Sequence, residues 1–297
     1  MKIFNFGSIN IDHVYQVPHL VKAGETLSAS TYQTVLGGKG ANQSIAIALA
    51  GAEVQHIGKL CILDEQYKEQ MQKIGVDCQH IQLVDEASGH AMIQVDSKGE
   101  NAIVLYAGAN QSNSEQELKQ ALSTAEEDDW LLLQNETNNV ALAIEVAHQQ
   151  GLQVAYNPAP VSAQAQDVDP QHVDLLFVNQ VEAAAISDCD ELGDQIQYFA
   201  EHWPHTDVIL TLGKEGALWL HQQQVMKTDA FDVTPVDTTA AGDTFIGFFL
   251  AGFAQGQDVE TALYKASAAA AICVQCNGAS CSIPSLEQVE LLLSEIE

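Results

Sequence analysis

The sequence contains no arginine. All 11 basic residues among its 297 are lysines, and they face 40 acidic residues, for a formal net charge of −29. A surface of that sign repels a phosphate backbone, so a nucleic-acid partner is not expected. Without the planar two-pronged donor of arginine, the chain also lacks the side chain best suited to a phosphate already carried by a substrate, lysine serving only as a point charge. A neutral substrate fits better, and the acidic surplus itself reads as a solvated surface. No apolar run approaches the roughly 18 residues that a membrane helix needs. Nor does the start, Met1-Lys2-Ile3-Phe4-Asn5-Phe6, show a basic stretch followed by a long apolar one. The expectation is a cytoplasmic protein with no membrane partner. The six cysteines, Cys61, Cys78, Cys189, Cys273, Cys276 and Cys281, are scattered as reduced thiols are, not as a disulfide framework. Cys273 and Cys276 have C-x-x-C spacing, but no second pair follows and no histidine lies near Cys281, which argues against zinc.

At 46% hydrophobic residues the chain can bury a full core, as one large α/β domain or two smaller ones. Its most informative stretch is Val236-Asp237-Thr238-Thr239-Ala240-Ala241-Gly242-Asp243-Thr244-Phe245, followed by Phe248, Phe249, Gly252 and Phe253 at helical spacing. Small residues let backbone approach a ligand, and the unpaired amides of a helix's first turn form an anion site without any basic side chain. Asp243 stands at the mouth of such a site. A carboxylate repels phosphate, so its sensible task there is to accept a proton from an attacking hydroxyl. Taken alone, such a segment is more often a capped helix after a polar loop.

From the N-terminus, Ile3 to Gly7 predicts a strand, and Asn10 and Asp12 fall on one side of its extension, where two short polar groups can grip vicinal hydroxyls. Residues 15 to 36 predict an antiparallel excursion. Leu36-Gly37-Gly38-Lys39-Gly40-Ala41-Asn42-Gln43 then allows close backbone approach before a small-residue helix from Ser44 to Ala52, with Asn42 at the helix start. The spacing is not that of a Walker loop, so Lys39 has no P-loop role. Gly58 to Leu60 is expected to follow a strand, and a helix is expected from Glu65 to Ile74. Ala91 to Val95 and Ala102 to Leu105 alternate like two strands joined by a tight turn, and with residues 15 to 36 they predict a small separate sheet. Such a sheet suits a lid that excludes water from phosphoryl transfer.

Regular α/β alternation follows. Strands over Trp130 to Leu133, Gln153 to Tyr156, Leu175 to Val178 and Val208 to Thr211 each end on polar residues, the end at which open parallel sheets bind ligands. A helix from Thr261 to Val274 leads to the polar loop from Cys276 to Pro284, which is either a plain loop or, with Asp237 and Thr239, a set of hard oxygen ligands for a monovalent cation.

These motifs together resemble the ribokinases within the PfkB family of sugar kinases. The resemblance is carried by Gly7 to Asp12, Gly37 to Gln43, Asn157-Pro158-Ala159-Pro160, Asn179-x-x-Glu182, Thr211-Leu212-Gly213 and Asp237 to Thr244, and it spans nearly the whole chain in the family's order. It implies a three-layer α/β/α fold with a mostly parallel central sheet: a single domain over residues 1–297, with β-lid segments at about 13–36 and 89–107. It implies transfer of the γ-phosphoryl group of ATP to the 5-hydroxyl of ribose by a homodimer joined through its lids. Asp243 matches the catalytic base, and the amides of Ala240, Ala241 and Gly242 match the anion hole. Asn10, Asp12, Gly37, Gly38, Lys39, Asn42 and Glu136 match sugar-binding positions. Asn179, Thr211, Gly213, Gly216, Gly242 and Ser267 match the ATP site, and Glu182 a position linked to magnesium. Asp237, Thr239, Cys273, Cys276, Gly278 and Ser282 match a potassium site, several through carbonyls. Deoxyribose, fructose and nucleosides are alternative substrates within the family, and a non-catalytic sugar-binding regulator is the alternative outside catalysis. The chain departs from the family at Cys61-Ile62-Leu63-Asp64, at Gln180-Val181 and at Ser267.

Overall fold

The first strand, β1 (Ile3–Phe6), already sorts the molecule into layers: Ile3 enters one apolar cluster while Phe4 and Phe6 enter another on the opposite face. Alternation with period two explains the split, because successive side chains leave a strand on opposite sides. The computed structural model describes residues 1–161 and 168–295. Around β1 lie β4 (Val54–Cys61) and β5 (Asp77–Val84) on one side. On the other side come β8 (Trp130–Gln134), β9 (Gln153–Asn157), β10 (Leu175–Asn179) and β11 (Asp207–Thr211), all parallel to it. Two antiparallel strands, β12 (Ala217–His221) and β13 (Gln224–Thr228), complete a nine-stranded sheet of order β13-β12-β11-β10-β9-β8-β1-β4-β5.

Five helices cover the face that receives Ile3: α1 (Lys39–Leu49), α2 (Glu65–Ile74), α7 (Ala241–Ala254), α8 (Val259–Cys273) and α9 (Leu286–Ser294). The other face carries α3 (Glu115–Leu122), α4 (Val140–Gln149), α5 (Gln180–Ser187) and α6 (Leu192–His202). The fold is therefore the expected three-layer α/β/α arrangement with a parallel-dominated sheet. A second sheet of order β3-β2-β6-β7 stands apart, built from β2 (Asn10–Gln16), β3 (Thr31–Gly37), β6 (Gly89–Val95) and β7 (Asn101–Tyr106). No helix of the described residues is long and apolar enough to cross a membrane.

Five elements differ from expectation. Helix α1 starts at Lys39, five residues before Ser44, because tertiary contact overrides the poor helix propensity of Gly40: a Cβ there would meet the Gly7 backbone at 2.5 Å, so only glycine lets the helix start abut the β1–β2 turn. Gly58, Lys59 and Leu60 lie inside β4 and do not follow it, the Lys59 ammonium being satisfied by the Ser112 carbonyl at 2.8 Å and Glu117 at 2.9 Å. Strands β5, β12 and β13 carried no expectation, and β5 pairs with β4 through an irregular register between Gln55 and Ile57 that blurs its alternation.

Candidate active site

Helix α7 begins at Ala241, after Ala240 in a left-handed conformation (φ 61°) that aims the first turn inward. A non-glycine residue in that region carries local strain, which persists at ligand sites where the surroundings over-determine it. The amides of Gly242 and Asp243 have no acceptor among the described residues, as the geometry of a helix start requires. Asp243, in that first turn, is 7% exposed.

Two amides from α1 hold its carboxylate. Asn42 Nδ2 donates to Oδ2 at 3.0 Å and Gln43 Nε2 to Oδ1 at 2.9 Å. Behind Gln43 runs a buried chain of fixed polarity. Gln134 Nε2 donates to Gln43 Oε1 (2.7 Å) and to Asn5 Oδ1 (2.9 Å), and Asn5 Nδ2 donates to Ser44 Oγ and to the Gly40 carbonyl, both at 2.8 Å. Ser44 Oγ lies 2.8 Å from His56 Nδ1, whose Nε2 lies 3.2 Å from the Gly7 carbonyl. A carbonyl only accepts, so Nε2 carries the proton and Ser44 donates to Nδ1. Burial pushes the His56 pKa down to about 4, so the ring is neutral. Asn42 Oδ1, by contrast, is buried without a partner among the described residues, an acceptor awaiting a donor.

The sugar-site candidates gather beside this carboxylate. Asn10 pairs with Gly37 on β3, which Gly38 and Lys39 follow directly. Glu136 Oε2 accepts from the Lys39 amide at 3.1 Å and from Ser8 Oγ at 2.5 Å. The Lys39 ammonium faces Asp243, Glu136 and Glu182, and the Asp243 carboxylate above all raises its pKa. Burial raises Glu136, and burial with the nearby Glu136 charge pushes Asp12 up to about 6.

That shift makes a stability prediction. Asp12 binds its proton more tightly folded than unfolded, so its cost to the free protein grows as pH rises from 3.8 through about 6 and is complete above that. Asp12→Asn is expected to stabilise the sugar-free protein by about 2 kcal/mol at pH 8, the full ~1.36 kcal/mol per unit being discounted for partial solvent access, and by nothing near pH 3.5. Urea denaturation at the two pH values measures this, and equal gains at both would refute a buried charge as the source.

Two cavities adjoin Asp243. One of about 210 Å³ is lined by Lys39, Asn179, Glu182, Thr211, Thr238, Gly242 and Asp243 among others. The second, of about 360 Å³, continues past Thr211, Thr238 and Gly242 to Gly213, Gly216, Phe231, Phe245 and Ser267. Its walls are mostly apolar, as an aromatic ring system requires. Thus all the ATP-site candidates line one or both cavities. Glu182 and Asn179 form a reciprocal cap at the start of α5: Glu182 Oε2 accepts from the Asn179 amide at 2.9 Å and Asn179 Oδ1 from the Glu182 amide at 2.8 Å. Burial raises the Glu182 carboxyl, a charge that a cation would compensate.

The cation-loop candidates converge less completely. Asp237 accepts from the amides of Thr239 (2.9 Å) and Gly278 (3.0 Å), clasping two loops together. Burial alone would raise its carboxyl, but these bonds outweigh it and hold the group low. Ser282 Oγ donates to the Gly278 carbonyl at 2.8 Å and lies 3.2 Å from Cys273 Sγ, which reaches the Thr239 carbonyl. Cys276 is exposed and joins only through its amide, which donates to the Cys273 carbonyl at 3.1 Å. Among the described residues no group of His, Cys, Asp and Glu side chains is arranged to hold a metal.

Sequence reasoning missed Gln43, Gln134 and Asn5. Their signal was slight: polar residues at positions where α1, β8 and β1 otherwise present apolar ones to the same core. The Cys61 to Asp64 departure is accommodated by Ser88, whose Oγ donates to Asp64 Oδ2 at 2.7 Å and accepts from the Cys61 amide at 2.8 Å, pinning the loop to the root of β6.

Known proteins resemble the chain along nearly its whole length. The family profile described as pfkB family carbohydrate kinase matches residues 1–286. A ribokinase of Haemophilus influenzae is 36% identical over 293 residues, covering 95% of this chain and 95% of its own. A deoxyribokinase of Salmonella typhi is 31% identical over 303 residues, covering 99% of each. Among solved structures, a ribokinase of Arabidopsis thaliana complexed with ribose and ATP superposes with a TM-score of 0.86 at 26% identity, covering 98% of each chain.

Proposed function

Since the chain belongs to the pfkB family of carbohydrate kinases, we propose that it transfers the γ-phosphoryl group of ATP to the 5-hydroxyl of ribose, giving ribose 5-phosphate and ADP. The observation that carries this reading is the Asp243 carboxylate, 7% exposed, oriented by two amide donors between a polar pocket and a free helix start. In the reaction the 5-hydroxyl oxygen forms a bond to the γ-phosphorus, the bond from that phosphorus to the bridging oxygen of ADP breaks, and the hydroxyl proton passes to Asp243. Of the expected anion-hole amides, those of Ala240 and Gly242, joined by that of Asp243 and the α7 dipole, stabilise charge building on the transferred group, while the Ala241 amide donates to the Thr238 carbonyl at 3.3 Å. Lys39, facing Asp243 and Glu136, neutralises charge between sugar and phosphates. Asn10, Asp12, Asn42 and Glu136 hold the sugar, and the 360 Å³ cavity takes the adenine.

Magnesium bound through the phosphates and Glu182 would supply further charge neutralisation. A lone carboxylate suits that ion, which keeps several waters and leans on substrate phosphates. Potassium would sit at the carbonyls of Thr239, Cys273, Cys276 and Gly278 with Ser282 and Asp237, bracing the turn that delivers Ala240. The whole chain works as one domain, with the small sheet as a lid over the sugar. Strand β7 is exposed along its whole length, with Ile103, Val104, Leu105 and Tyr106 each more than half exposed. An apolar edge of that kind is normally covered, which supports a homodimer through the lid. Sedimentation is expected to give twice the 32.0 kDa chain mass, and a monomer at micromolar concentration would refute it. Six free cysteines and dependence on ATP suit the cytoplasm, so cell fractionation is expected to place the protein with the soluble pool.

Deoxyribose is the second reading, favoured by the similarity to the Salmonella deoxyribokinase. The deciding experiment is ADP release with MgATP against ribose, deoxyribose, fructose and adenosine, with and without potassium. Ribose-dependent turnover stimulated by potassium is the expected result. Preference for deoxyribose would keep the kinase and change the substrate, while ribose binding without ADP release would mean a regulator.

A further inference from the structure

The orientation of the Asn10 side chain is dictated from the far end of the small sheet. Asn110 lies in the 3-10 turn Gly108–Gln111, directly after β7, and is 2% exposed. Its Oδ1 accepts from the Ile9 amide at 3.0 Å. A backbone amide can only donate, so the atom facing it is the oxygen, and the Asn110 NH2 group must point the other way. There it donates to the Ile9 carbonyl at 3.3 Å and to Asn10 Oδ1 at 2.8 Å. With its oxygen taken, Asn10 turns its own NH2 group into the cleft. Asn10 is 4% exposed and that nitrogen has no acceptor among the described residues. Gly89, the register partner of Asn10 on β6, leaves room for the pair, since a Cβ there would overlap both Asn110 Nδ2 and Asn10 Oδ1.

We infer that Asn110 is a positioning residue for sugar recognition: it fixes Asn10 as a hydrogen-bond donor beside Asp12, two residues along the same face of β2, which is an acceptor. A donor next to an acceptor suits adjacent sugar hydroxyls, one oxygen accepting from Asn10 and one hydroxyl proton going to Asp12. Were Asn10 free to rotate, half of its orientations would set a carbonyl oxygen beside the Asp12 carboxylate. Asn110 also joins the sheet's first strand at its root to the exit of its last, and its carbonyl accepts from Asn113 Nδ2 at 2.9 Å and from the Asn138 amide at 3.4 Å, two residues beyond Glu136. The sugar donor and the lid's two roots are thus held by one residue.

This inference rests on the sugar-kinase reading, and the test keeps the two apart. Asn110→Asp retains the acceptor for Ile9 and replaces the donor facing Asn10 with a second acceptor. With whichever sugar supports turnover, the variant is expected to raise sugar KM by about tenfold, the equivalent of one lost hydrogen bond, with kcat and the KM for ATP within about threefold of the parent. In an Asn10→Ala background the same substitution is expected to have no further effect on sugar KM, because Asn110 acts through Asn10. Additive losses, an unchanged sugar KM, or a fall in kcat and both KM values together would each overturn the proposal. A measurement on the parent protein guards against a variant that does not fold. In NMR hydrogen exchange, the Asn110 side-chain amide is expected to be protected with and without sugar, and that of Asn10 only with it. Loss of Asn110 protection on sugar binding would overturn the inference. Should no sugar support turnover, the kinase reading fails, while sugar affinity measured by calorimetry on the same variants still decides the role of Asn110.

Discussion

Asp243→Asn is expected to bind ribose and ATP within a few-fold of the parent and to lose about three orders of magnitude in kcat, within the 10²–10⁴ that a positioned general base contributes. The replacement is nearly isosteric, so the helix start, its free amides and both cavities persist. What changes is the sign of the hydrogen bonding. The carboxylate accepts from Asn42 and Gln43 and keeps lone pairs for a hydroxyl proton, whereas an amide presents one oxygen and one NH2 group that must face one of those donors. The variant therefore lacks a proton acceptor while retaining binding. Calorimetry for each substrate, with steady-state kcat, separates the effects. A kcat near that of the parent would remove Asp243 from the chemistry; lost binding with folding intact would make it a sugar ligand only.

Gln43→Met carries the second largest effect. Methionine matches the volume and abolishes three hydrogen bonds at once, to Asp243 Oδ1, to Asn157 Oδ1 and from Gln134 Nε2, leaving Asp243 Oδ1 without its donor and Gln134 Nε2 with Asn5 Oδ1 alone in a buried setting. Losing a donor to a charged acceptor costs about 1.5–3 kcal/mol, so kcat is expected to fall by about 10- to 100-fold through a loosened Asp243, and the stranded polar groups to lower folding stability by about 2 kcal/mol. Sugar KM should hold, since Gln43 lines the back of the carboxylate and not the sugar. Activity within threefold of the parent would show that Asn42 alone suffices to orient the base.

The contrast between these two residues explains what could be read from the chain in advance. Asp243 announced itself because its context is local: small residues, a helix start and a recurring phenylalanine stripe all lie within a dozen positions. The cap of Glu182 on Asn179 is likewise a four-residue pattern. Gln43 and Asn110 are different. Their partners are Asp243, Gln134, Ile9 and Asn10, about 90 to 200 residues away along the chain, and an isolated Gln or Asn in a polar stretch carries no mark of such pairing. The start of α1 was misplaced for the same reason: Gly40 counts against a helix by propensity, and only its contact with Gly7 makes the helix possible. The layering of the central sheet was legible, since Trp130 to Leu133 and Leu175 to Val178 are continuous apolar runs, whereas β5, with Asp77, Gln79, His80 and Gln82 interspersed, is not one.

The order of strands in the large sheet also bears on how the chain is made. From β8 onward each strand lies beside the one synthesised just before it, through β9, β10, β11, β12 and β13. A ribosome delivering the chain therefore offers each strand an edge that is already present, and this half can lengthen outward by local pairing with little loop-closure cost. The first half has no such convenience. β1 waits for residue 130 before its second edge is covered, and β2, already paired with β3, waits for β6. Nascent chains halted before β8 thus present an open strand edge at β1, the kind of edge that invites pairing with another chain.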